Sequence, residues 1–170
     1  ISAVTGTAYT GETGSTSTSF TAGNAITEAG SDGLTLAKLR NAKQILDSNS
    51  VDPSIPRTIV VAPVAISDLL AVTQATSSDY ASVKALVQGE IDTFMGFKFV
   101  LSNRLSKTGN MRKLLVYAQD GMLLALGQDI VTRIDERSDK GYATQVYCSQ
   151  SIGSTRMEET KCVSIESYEA

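Results

Sequence analysis

The chain has 170 residues, 42% hydrophobic and 19% charged, enough to bury a sizeable core in one large or two small domains. A net charge of −3 and an isoelectric point near 5.0 exclude a protein that coats nucleic acid through a basic surface. There is no histidine, which excludes Ser-His-Asp and Cys-His catalysis. No apolar run approaches the twenty residues of a membrane-spanning helix. The chain starts at Ile1 with neither methionine nor a signal pattern, and is read as a processed chain or a fragment lacking its true N-terminus.

In residues 1–33, Ser, Thr and Gly fill 19 of the 33 positions. Such a segment buries too little to offset its own ordering entropy. It is expected to be an extended arm, a loop, or a piece ordered only by neighbours. The first strong helix is Leu34–Asn49. Leu39, Ala42 and Leu46 form one apolar stripe with Leu36 and Ile45 beside it, and Lys38, Arg40 and Lys43 lie off it. "RTIVVAP", Arg57 to Pro63, reads as a short central strand covered on both faces. Pro63 suits the first turn of the following helix. A further helix is expected over "YASVKALVQG", ending at Gly89.

"GFKFVLSN" alternates as a strand entered through Gly96, with Phe97, Phe99 and Leu101 on the packed face and Lys98 and Ser102 away from it. Gly96 is expected to turn the chain from a helix end into that strand. A turn at "SKTGN" leads to the apolar strand "KLLVYA". Asp120 is then expected to cap a short buried helix, "GMLLALG". From Gln128 onward three alternating runs, "DIVTRIDERS", "GYATQVYCS" and "KCVSIES", read as an antiparallel meander. Its turns are placed at Asp139-Lys140-Gly141 and Ile152-Gly153-Ser154.

Little in the chain suggests chemistry. Cys148 and Cys162 belong to no metal-binding pattern and read as reduced, half-buried thiols. "SVK" and "SDK" have the wrong spacing for a Ser-Lys nucleophile. "GTAYTGETG" is glycine-rich, but no strand precedes it and no Gly-Lys-Ser/Thr ends it, so it is not a phosphate loop. The acidic clusters "DERSD" and "MEE" alternate with Arg133, Arg137, Lys140 and Arg156, as surface ion pairs do. No catalytic, cofactor-binding or metal-ligating residue is assigned. Ser-Lys chemistry stays formally open, and a Ser-Lys hydrolase is the enzyme alternative.

The order of elements and several local sequences resemble the major capsid proteins of tailed bacteriophages, the Hong Kong-97 fold. The passages that carry the resemblance are "LTLAKLRNAKQILDSN", "RTIVVAPVAISDLL", "GEIDTFMGFKFVLSNRL" and "DIVTRIDERSDKGYATQVYCSQSIGSTRMEETKCVSI", spanning about Leu34 to Ser167. The resemblance implies an α+β fold with a spine helix, an α/β axial domain and antiparallel peripheral-domain strands. It places the peripheral domain at 34–57 and 130–170, the axial domain at 58–129 and the arm remnant at 1–33. It carries no cross-linking Lys or Asn onto this chain.

The implied function is that of a major capsid protein, not an enzyme, that self-assembles into an icosahedral shell. The alternative is an encapsulin-like compartment subunit. The implied partners are copies of itself in hexamers and pentamers, and packaged double-stranded DNA bound without sequence specificity. No cofactor and no membrane are implied. The implied location is the virion, after assembly in the cytoplasm of a bacterial host. Closed rings need heterologous contacts. The charged set Arg133, Asp135, Glu136, Arg137, Asp139, Lys140 and Arg156 is the candidate for them, against the alternative of a solvated strand face.

Overall fold

The computed structural model describes residues 2–10, 13–27, 30–73 and 92–169. The expected helix over "YASVKALVQG" lies outside them. Chain order is α1 (Ser2–Thr5), β1 (Ala8–Thr10), β2 (Thr16–Thr18), β3 (Ala25–Ile26), α2 (Leu36–Ser48), β4 (Arg57–Val61) and α3 (Pro63–Thr73). There follow β5 (Thr93–Phe94), β6 (Phe97–Leu101), β7 (Lys107–Thr108), β8 (Met111–Ala118), β9 (Met122–Arg137), β10 (Ala143–Arg156) and β11 (Cys162–Tyr168).

Helix α2 starts where Thr35, in an extended conformation, accepts the Lys38 amide on its side chain. Its stripe of Leu39, Ala42 and Leu46 is fully buried, with α2 packed on β11 and α3. Burying a leucine stabilises by about 1.5–3 kcal/mol, so this stripe holds the helix where its polar face could not. Lys38, off the stripe, donates to the carbonyls of Asp32 (2.9 Å), Gly33 (2.8 Å) and Glu166 (3.1 Å). It thereby ties the start of α2 to the last strand.

The main sheet has the order β3-β11-β8-β4-β6-β5, with β7 also paired to β8. β4 lies between β8 (antiparallel) and β6 (parallel), as the prolines flanking it and its β-branched core suggest. Its alternate residues Arg57, Ile59 and Val61 are buried, whereas Thr58 and Val60 are half-buried, so one face is more open than expected. Pro63 opens α3. β11 runs antiparallel to β8 over seven residue pairs and parallel to the two-residue β3.

Gly96 has φ +85°, as expected, but the turn it makes is different. It follows Met95, at φ +54°, in a two-residue hairpin joining β5 to β6, with Phe94 opposite Phe97. Two positive φ values in succession match the twist of the flanking strands. Phe97 and Phe99 are buried; Leu101 is 60% exposed and does not join them.

The C-terminal third departs most from expectation. "GMLLALG" is not a buried helix: a 3₁₀ turn at Gln119–Gly121 leads straight into β9. A short apolar run has no decisive period, and here the strand wins. Gly153 lies inside β10 rather than in a turn. The three-strand meander is a two-strand ribbon, β9 with β10, while β11 joins the main sheet.

The chain divides into two compact units, 1–122 with 156–170, and 123–155. These boundaries differ from the partition at 34–57, 58–129 and 130–170. The cause is packing: α2 and β11 share one core with β4 and β8. Residues 1–33 are not a bare arm either. Val4 and Ile26 join that core, β1 pairs with β2, and β3 pairs with β11.

Candidate assembly surface

The unit 123–155 is a single hairpin. β9 and β10 are bonded to each other, and five residues join them, too few for a parallel crossover, so they run antiparallel. The turn closes through the Tyr142 amide donating to Arg137 O at 3.0 Å, with Gly141 at φ +64° and Tyr142 at φ +59°. Within the unit no residue is buried, and Ser149 alone is half-buried.

Alternation sorts the ribbon into two faces. A Cβ on Gly127 would lie 3.6 Å from that of Ser151, which aligns the odd-numbered positions of both strands. Leu124, Leu126 and Ile152 therefore share the opposite face. The same alternation continues to Ile130 and Ile134 on β9 and to Val146 on β10. These six apolar side chains are 57–70% exposed. Gln128, Thr132, Cys148 and Gln150 stand between them on the same face. The odd face of β9 carries Asp129, Arg133, Asp135 and Arg137 together with the exposed Leu123 and Val131. Exposed apolar side chains grouped in this way mark a contact surface for protein, membrane or ligand.

The predicted contact residues separate. Arg133, Asp135, Glu136, Arg137, Asp139 and Lys140 are exposed at or near the hairpin turn. Arg137 grips Asp139 through two bonds, Nε at 2.9 Å and Nη2 at 2.5 Å. That hydrogen bonding holds the Asp139 carboxyl below its ordinary range.

Arg156 does not belong with them. It is 6% exposed and donates to the carbonyls of Val4 (2.5 Å), Gly6 (3.0 Å) and Thr18 (3.3 Å). Its guanidinium lies 5.3 Å from the centre of the Phe20 ring and 3.8 Å from Glu159. Its partners are mainly backbone carbonyls, which leave no signature in a sequence. The expectation that it faces water fails for that reason.

Where the main sheet hands the chain to β9, sequence reading missed a second polar cluster. Lys161 bridges Asp120 (2.5 Å) and Glu158 (2.8 Å), and Gly121 O accepts the Met157 amide at 2.9 Å. Cys162 is buried there, and desolvation pushes its thiol up to about 11, while Cys148 is exposed on β10; both are free. They are thus one buried and one exposed thiol, not two half-buried ones. Arg57, buried at the start of β4, pairs with Asp47 at 2.7 Å and donates to Val51 O at 3.0 Å. Among the described residues no group of three or more His, Cys, Asp or Glu is placed to hold a metal. No helix among them is long and apolar enough to cross a membrane.

The sequence model of a family described as phage capsid protein matches residues 1–169. No curated protein matches. Among solved structures, a chain from Mycobacterium phage Che8 is 18% identical with a TM-score of 0.64, over 84% of this chain and 53% of that one. The capsid of Ralstonia phage GP4 is 12% identical with a TM-score of 0.65, over 89% and 54%. The SrpI encapsulin of Synechococcus elongatus is 10% identical with a TM-score of 0.61, over 88% and 55%. The chain spans about half the length of the structures it matches.

Proposed function

This chain belongs to the phage capsid protein family and has the Hong Kong-97 fold, and from that premise we propose that it is part of a major capsid protein that self-assembles into an icosahedral shell. Its role is structural rather than catalytic. The observation that carries this reading is the hairpin 123–155. An isolated two-stranded ribbon is at best marginally stable in water, and this one leaves six large apolar side chains open on one face. A shell supplies the missing cover. The hairpin then takes the part of the peripheral-domain strands. The unit containing α2, α3 and the main sheet takes that of the axial domain.

Arg133, Asp135, Glu136, Arg137, Asp139 and Lys140, grouped at the hairpin turn, are the charged contacts that set register between neighbouring copies in hexamers and pentamers. The enclosed partner is double-stranded DNA, held without sequence-specific contacts, in a virion assembled in a bacterial cytoplasm. An encapsulin-like compartment is the second reading, favoured by the SrpI likeness.

Electron microscopy of shells purified from the producing host tests the proposal. Closed shells with nuclease-protected DNA are expected, and Ile134→Asp in the full-length protein should give folded subunits without shells. Shells filled with protein cargo and no DNA would move the assignment to the compartment. A full-length protein that forms no shells would overturn both.

A further inference from the structure

We propose that residues 2–10 and 13–21 form a strap that detaches from the folded main sheet, with Arg156 and Glu159 as its latch. Among the strap's described residues, Val4 alone is buried. Every side chain of β2 is exposed, and β1 is exposed but for the half-buried Ala8. Apart from Val4 and Phe20, which is half-buried against the core, the segment therefore gains little from apolar burial. What holds it is concentrated on two side chains of one short stretch. Arg156 gathers the carbonyls of Val4, Gly6 and Thr18 and lies on Phe20, and Glu159 accepts the Thr21 amide.

The latch can open without orphaning a buried charge. When the strap leaves, Glu159 still stands 3.8 Å from the Arg156 guanidinium. Removing one partner of a buried pair is strongly unfavourable; here both partners stay behind. The chain just after Thr21 is anchored separately. Asn24 is buried and donates to Glu159 O at 2.9 Å, Asn49 donates to Thr160 O at 2.9 Å and Asn24 Oδ1 at 3.4 Å, and β3 pairs with β11. The hinge therefore falls at Thr21–Ala22. α1 packs on β11, so release uncovers part of that strand while leaving its hydrogen bonds to β3 and β8 intact.

Opening of this kind is a local event with its own free energy, below that of global unfolding. Hydrogen exchange on the full-length free subunit resolves it segment by segment. In the parent, amides of β1 and β2 are expected to exchange at least about tenfold faster than those of β8 and β11. Arg156→Ala should speed the strap by about tenfold or more and leave β8 unchanged, with Arg156→Lys intermediate because a compact ammonium keeps the charge but lacks the planar fork that spreads over the carbonyls and lies on Phe20. Glu159→Gln, which keeps an acceptor for Thr21, provides a milder second variant and should speed the strap alone.

Equal exchange of strap and β8 in the parent would overturn the proposal, and that outcome needs no variant to fold. So would an Arg156→Ala protein in which β8 and the strap speed up together, or one in which the strap is unchanged.

Discussion

The main sheet and the hairpin use the same residue types to opposite ends. In β8 and β11, Leu114, Val116, Val163 and Ile165 are sealed inside one core. In β9 and β10, Leu126, Ile130, Ile134, Val146 and Ile152 are at least 57% exposed. The difference lies in the layers. β8 has β11 on one side and β4 with β7 on the other, and helix α2 packs on the sheet, whereas among the described residues β9 pairs with β10 alone. Alternation makes a strand in both places; only the number of neighbours decides whether its apolar face is used within the chain.

That contrast can be broken by substitution. Phe97, fully buried in β6, should lose about 3–5 kcal/mol of folding stability as Phe97→Ala. Ile134→Ala, in the hairpin, should change the stability of the free full-length subunit by no more than about 0.5 kcal/mol. Chemical denaturation of both measures the gap. Equal losses would mean that the hairpin already has a cover in the free subunit.

A smaller effect sharpens the comparison at the level of turns. Gly96 has nothing within 4 Å of where a Cβ would stand, so Gly96→Val meets no clash, only the strain of φ +85°. A β-branched residue there should be less stable by about 1–3 kcal/mol. Lys98→Ala beside it, on the exposed side of β6, should stay within about 0.5 kcal/mol. Thermal melts that cannot tell the two variants apart would remove the conformational role of Gly96.

What was legible in the sequence follows from where the physics is local. The stripe of Leu39, Ala42 and Leu46, the Pro63 helix start and the β-branched run of β4 are set by period and by backbone chemistry, and each is found in place. The positive φ at Gly96 was legible too, though not that Met95 shares the turn. Misreadings fall where the partner is distant. The Met122–Gly127 run looked buried because an apolar run says nothing about its cover. Gly153 looked like a turn, yet it continues β10. Arg156 looked like one more surface charge, and its acceptors are carbonyls some 138–152 positions earlier. Lys38, read only as lying off the apolar stripe, joins two nearby carbonyls to that of the distant Glu166. The family resemblance supplied the fold.

The claim at the centre of this account is that the apolar face of the β9–β10 hairpin is covered in the assembled shell and open in the free subunit. Hydrogen exchange of residues 122–156, compared between free full-length subunits and purified shells, tests it most directly. Amides of β9 and β10 should exchange about tenfold or more slower in shells, while those of β8, already inside the sheet, change little. Equal exchange of the hairpin in the two states would contradict the account and leave its apolar face without a role in assembly.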